Sequence, residues 1–220
     1  MRYSDLKEEQ IEEGVHDPHI FKAIFMAGAP GAGKTTIRKK LLAHTGLKEV
    51  DIDKWWEFFN MLKQDRSKDY DYYWHKLMKQ RKNYIYGRLG MVIDGTAKDL
   101  RRIQKTKQVL EQIGYDVAMI FVNTDLETAT QRVLARAKQI GRSVPLDRVE
   151  QNWKTTQDNL GHLQNAFSGN FFIVDNSQPD ADIQIISKRL EQFLNKKPTQ
   201  PAATEWIQNE LANRANKQAA

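Results

Sequence analysis

Apolar and polar positions along the chain follow two alternating periods. Short apolar runs of strand length fall at residues 20–27, 48–52, 90–94, 117–122 and 171–174, and between them apolar residues recur three or four apart, as on one helix face. The helical stretches predicted are 35–45, closed by Gly46; one with Trp55, Phe59 and Leu62 on its stripe; 72–88; and 100–113, closed by Gly114. Three more follow at 124–140, 147–167 and 182–194. Thr124 and Glu127 form a T-x-x-E capping box that opens the first of these three, and the acidic segment 5–15 carries another such pair in Asp5 and Glu8. Polar composition predicts a loop at 63–71, and Gly141 to Pro145 break the chain after 140. Pro198 and Pro201 mark 196–204 as a linker to a final helix, 205–215, whose Trp206, Ile207 and Leu211 dock on the body. Five strands alternating with helices predict an α/β fold, a five-stranded, mostly parallel sheet with helices on both faces. The expected layout is one domain over 1–196, with a linker and C-terminal helix over 197–220.

The first strand leads into Gly28-Ala29-Pro30-Gly31-Ala32-Gly33-Lys34-Thr35-Thr36, which fills every fixed position of G-x-x-x-x-G-K-[ST]. A strand, a glycine turn and a helix start gather backbone N–H groups and the positive end of a helix dipole around a phosphate chain. Lys34 then reaches the β and γ phosphates and Thr35 offers a hydroxyl to Mg²⁺. This predicts a P-loop NTPase fold with ATP and Mg²⁺ as cofactors.

Composition narrows the picture from there. With 220 residues there is room for one α/β domain with appended helices. The absence of cysteine excludes disulfides, thiolate metal sites and cysteine nucleophiles, and the five histidines show no ligand spacing. No apolar run approaches the roughly 20 residues of a membrane span, and no secretion signal is evident, so the expectation is a cytoplasmic protein. A net charge of +6 favours an anionic partner without distinguishing a nucleic acid from a small phosphate compound.

Ligands of a parallel sheet collect where strands end, and three strands here end in the phosphate loop, in Asp51 and Asp53, and in Asp94. An aspartate closing an apolar strand can hold Mg²⁺, and this is the expected role of Asp94, with a helix N-cap as the alternative. Asp53 is placed to accept the proton of an attacking hydroxyl, or else to cap the helix of Trp55. Arg132 and Arg136 lie four apart on one helix face, with Arg142 in the break beyond; they can close over a triphosphate as a lid at about 130–146, or form a solvated basic face. Residues 54–88 mix rings with cations, and Trp55, Trp56, Tyr73, Lys79 and Lys82 are the candidates for holding the acceptor.

In order, GAPGAGKTT, Val50 to Asp53, Val92 to Thr96, and Arg132 and Arg136 before GRSVP resemble the P-loop kinases grouped with polynucleotide kinase and zeta toxin, over about 21–175. The resemblance implies Asp53 as the base, Arg132 and Arg136 as lid arginines with Arg142 a third, and an ATP-dependent phosphotransferase acting on an alcohol. Where relatives carry an arginine three residues after the base, this chain has Trp56, which argues against simple 5′-end phosphorylation. The expected acceptor is a hydroxyl of a nucleotide or nucleic acid; by resemblance to phage enzymes of DNA modification, a hydroxymethylated base is one form of it. A nucleotide sugar or other small molecule is the rival, and a nucleic-acid-binding NTPase or switch is the alternative of another class.

Overall fold

The computed structural model describes residues 14–55, 70–140, 144–177 and 183–218. Five strands, β1 (Lys22–Ala27), β2 (Lys48–Val50), β3 (Met91–Asp94), β4 (Asp116–Asn123) and β5 (Phe171–Asp175), pair in the order β2-β3-β1-β4-β5. Every pairing is parallel, so each strand is joined to the next through helical crossovers. The helices are α1 (Lys34–Leu42), α2 (Tyr70–Tyr86), α3 (Leu100–Gln112), α4 (Leu126–Ile140), α5 (Leu146–Asp158), α6 (Leu160–Ala166), α7 (Ile183–Asn195) and α8 (Pro201–Gln218).

Because strand side chains alternate, each face of the sheet has its own core. Phe25, Met119 and Phe121 pack with Leu77 of α2, Leu110 of α3, Leu163 of α6 and Ala203 of α8. On the other face Ile24, Met26, Val92, Ile120 and Val174 meet Ile37 and Leu41 of α1 and Leu190, Phe193 and Leu194 of α7. At the start of β1, Lys22 is buried; its ammonium pairs with Asp116 at 2.6 Å and lies over the Phe193 ring, which compensates its desolvation.

Three predicted boundaries move, each for a local reason. The cap of α4 is Asp125, whose carboxylate accepts the Thr128 N–H at 2.7 Å, while Thr124 is buried and its carbonyl accepts the Trp153 indole N–H. The stretch 147–167 is two helices, α5 and α6, separated at Asn159, whose amide donates to the carbonyls of Ala97 and Lys98. Pro201 does not belong to the linker; it begins α8, where its missing N–H costs no helical hydrogen bond. The capping pair at Asp5 and Glu8 and the stripe residues Phe59 and Leu62 lie outside the described residues.

Helix α8 docks as its sequence implied. Ala203 is fully buried, Trp206 meets Phe21 edge-on at 5.7 Å, and the Arg88 guanidinium lies near both rings. Leu211, by contrast, is 48% exposed. The approach is so close that a Cβ on Gly114 would stand 2.8 Å from the Ala203 nitrogen.

Candidate active site

The loop at 28–33 connects the buried end of β1 to α1. Its tight turn brings Gly31 against α4: at φ +83, a Cβ there would lie 2.2 Å from the Ala129 carbonyl oxygen. Gly33, also left-handed, is the N-cap of α1 and has no side chain to bond the first-turn N–H groups, which stay available to an anion. The Lys34 ammonium folds back over the loop, donating to the Gly28 carbonyl at 2.9 Å and that of Ala29 at 3.3 Å. Thr35 and Thr36 follow in the exposed first turn of the helix.

Next to this loop, the ends of β2 and β3 form an acidic cluster with one buried cation. Arg38 of α1 is 7% exposed and reaches Glu49 at 3.1 Å and Asp51 at 3.2 Å. Lys54 pairs with the same Glu49. Asp51 accepts the backbone N–H of Asp53 on its other oxygen, 2.9 Å away, so Asp51 caps the helical turn at 52–55. The capping role considered for Asp53 therefore belongs to its neighbour, and Arg38 holds that neighbour in place.

Asp94 ends β3 in register with Met26 of β1. Its Oδ1 is buried with no hydrogen-bond partner among the described residues. Desolvation raises its pKa from 3.8 to about 6; the Lys34 charge opposes this, Asp51 and Asp53 add to it, and Arg38 opposes it too. The N-cap of the following helix is Asp99, whose carboxylate accepts the Arg102 N–H, so Asp94 is not spent on capping. An orphaned carboxylate oxygen beside a lysine and two more carboxylates fits a hard divalent cation, which Asp94 and Thr35 would hold. Among the described residues no three His, Asp or Glu side chains converge as a metal site, so most ligands of such an ion would come from phosphate and water.

From the far side the loop is braced by the end of β5. The Asn176 amide donates to the Ala32 carbonyl at 2.7 Å, and its backbone oxygen accepts Nη2 of Arg132 at 2.9 Å. The other amine of Arg132, Nη1, is buried without a hydrogen-bond partner among the described residues, 3.7 Å from where a Cβ on Gly33 would be. One arm of the guanidinium is thus anchored and the other faces the loop. Arg136 is half-buried one turn further along α4; Arg142 lies outside the described residues.

On the other side of Asp94 a cavity of about 340 Å³ opens between α2 and α3. Trp74, Leu77, Met78 and Arg81 line it from one stripe of α2, and Arg102 and Ile103 from α3.

The zeta-toxin family model matches residues 8–185. The chain belongs to the zeta-toxin family. No curated protein matches it by sequence. Among solved structures it resembles the PezAT toxin-antitoxin system of Streptococcus pneumoniae at 18% identity and a TM-score of 0.52, covering 97% of each chain. It resembles a gluconokinase from Sinorhizobium meliloti 1021 at 16% identity and a TM-score of 0.50, over 80% of this chain and 93% of that one. A third neighbour, in the Pnkp1/Rnl/Hen1 RNA repair complex, shares 21% identity at a TM-score of 0.53 over 66% of this chain; the match spans about half of that chain, 46%. The doubly wound P-loop kinase fold is common to them. Among the described residues no helix is long and apolar enough to cross a membrane.

Within this zeta-toxin fold the sequence-predicted residues fall into two groups. Lys34, Asp53, Asp94 and Arg132 converge around the phosphate loop and the ends of β2 and β3. The expected acceptor residues do not converge in the same way. The Trp55 indole donates to Gln80 of α2 at 3.0 Å, and Tyr73 is buried against Tyr72. Lys79 and Lys82 are exposed on another stripe of α2, Lys82 over the Tyr86 ring; Trp56 lies outside the described residues. Arg81, one of the cations expected in 54–88, does line the cavity, whereas Arg38, Asn176 and Arg102 carry no such expectation from the sequence. Arg38 is four residues after Lys34, hence on the loop's own helix face, and Asn176 directly follows the fifth strand, so both carried a positional signal.

Proposed function

We propose that this protein is an ATP- and Mg²⁺-dependent kinase that transfers the γ-phosphate to a hydroxyl of an acceptor bound between α2 and α3. The observation that carries the reading is Arg132: one arm fixed on Asn176, the other buried beside Gly33 with no hydrogen-bond partner among the described residues. A guanidinium held in that way is preorganised for charge on a nucleotide phosphate, and it comes from the chain itself, so no partner's arginine is required. That favours a self-contained transferase over a switch.

Mg²⁺ on Thr35 and Asp94 would supply charge neutralisation at the phosphate oxygens. Asp53, at the end of β2, takes the proton of the acceptor hydroxyl as that oxygen bonds to the γ-phosphorus, and the bond from phosphorus to the departing diphosphate oxygen breaks. Lys34 and Arg132, with Arg136 behind and Arg142 by family resemblance, face the charge that gathers on the transferred group. A small-molecule or single-nucleotide acceptor has more support than a strand, because the cavity beside Asp94 is of small-ligand size and Lys79 and Lys82 stand away from it.

The test is labelled ATP incubated with nucleosides, nucleotides, 5′-hydroxyl oligonucleotides, hydroxymethylated duplex DNA and nucleotide sugars. Lys34→Ala should abolish labelling, and Arg132→Ala should lower kcat by about 100-fold while ATP affinity changes far less. Undiminished turnover in a folded Lys34→Ala protein would overturn the kinase reading.

A further inference from the structure

The cavity beside Asp94 is lined mostly by apolar side chains, with Arg81, Lys98 and Arg102 as its cations and Asp94 and Asp99 as its carboxylates. Trp74, Met78 and Ile103 form its walls, and two guanidinium groups, Arg81 and Arg102, share it. The Arg102 guanidinium carbon lies over the Trp74 ring, 3.9 Å from its centroid, a contact that favours the position of both. Nε of Arg81 is buried and has no hydrogen-bond partner, and no carboxylate pairs with Arg81 or Arg102 among the described residues. Asp99 is close by in sequence, but one of its oxygens is taken by the Arg102 N–H. Burial and the charge of Arg102 both lower the pKa of Arg81, with Tyr115 opposing them.

A half-buried guanidinium beside a second like charge is unfavourable on its own, since Arg81 loses hydration and is repelled by Arg102. A bound anion reverses both effects, and a dianionic phosphate matches a pair of guanidinium groups better than a singly charged carboxylate does. The cavity thus brings Asp94, the Trp74 ring and two arginines into one space.

Resting on the kinase reading, we propose that the acceptor is a small phosphorylated alcohol with a planar or apolar body, its existing phosphate held by Arg81 and Arg102 and its body against Trp74, so that the free hydroxyl is directed toward Asp94 and the loop. Arg81, Arg102 and Trp74 are specificity residues in this assignment. The kinase chooses a monomer that already carries a phosphate, in preference to an uncharged alcohol or a strand.

Calorimetric titration tests this with the phosphate loop filled by magnesium and the β,γ-imido analogue of ATP. The probes are phenyl phosphate and the four common nucleoside 5′-monophosphates, each against its uncharged parent, phenol or the nucleoside. At least one phosphorylated probe should bind about tenfold or more tightly than its parent, and Arg81→Met and Arg102→Met should each remove that margin. Arg102 is exposed, so its variant keeps the fold even if the half-buried Arg81 does not tolerate methionine. Trp74→Leu should weaken probe and parent alike. Equal affinity for probe and parent, margins unchanged in the arginine variants, or binding of oligonucleotides alone would overturn the proposal. Affinity for Mg·ATP, measured on the same preparations, reports on the kinase reading separately: binding of ATP without preference for phosphorylated probes sinks only the acceptor assignment.

Discussion

Asp94 illustrates how a buried, unpartnered carboxylate costs stability. Its carboxylate is desolvated at the end of a central strand and its pKa is raised from 3.8 to about 6. The native state therefore binds more protons than the unfolded chain between these values, and stability falls as pH rises through the interval. Below pH 4 the penalty is absent; above pH 6 it is complete, at about 3 kcal/mol. Without nucleotide or magnesium, Asp94→Asn should melt at a higher temperature than wild type at pH 7, with the gap closing toward pH 4. Thermal melting across that range checks the sign, and a gap that widens on acidification would reject it. Asp53 differs: with Asp51 serving as the cap, Asp53→Asn should slow transfer by about 100-fold or more and leave the melting temperature nearly unchanged. A large loss of stability with turnover intact would make Asp53 structural.

Among the elements, α8 docks as its apolar pattern predicts: Ala203 sits in the same core cluster as Phe25 and Leu110, and Trp206 covers Phe21 at the entry to β1. That strand leads directly into the phosphate loop, so the helix clamps the base of the site's central strand. Trp206→Ala should lower unfolding stability by roughly 2 kcal/mol, less than for a fully buried ring because Trp206 is half-exposed. Denaturant unfolding measures it, and no shift in midpoint would mean that α8 only rests on the surface. Helix α2 teaches the opposite lesson. Its cations were visible in the sequence, but the side of the helix that faces the cavity carries Arg81, and Lys79 and Lys82 face elsewhere.

For the molecule as a whole, a net charge of +6 draws in anions of any size, whereas the cavity admits a small one. The two can be separated by salt. A strand contacting six or more phosphates loses on the order of a thousandfold in affinity between about 50 and 200 mM salt, while one small dianion on two arginines changes far less. Acceptor affinity should follow the shallow course, and a steep one would return the nucleic-acid acceptor to favour.

The phosphate loop, the five strands and the aspartates that follow them were legible in the chain because each rests on local order: periodicity of two or 3.6 residues, a fixed eight-residue spacing, a carboxylate after an apolar run. Family membership follows from the same linear order. Which aspartate caps the turn was not legible, since the sequence does not record that Arg38, on another element, comes to hold Asp51. Nor was the brace at Asn176, which meets Ala32 from 144 positions away, or the pairing of Arg81 with Arg102 across two helices. Such contacts arise when the parallel crossovers bring distant segments together at one edge of the sheet, and no local pattern records which side chains meet there.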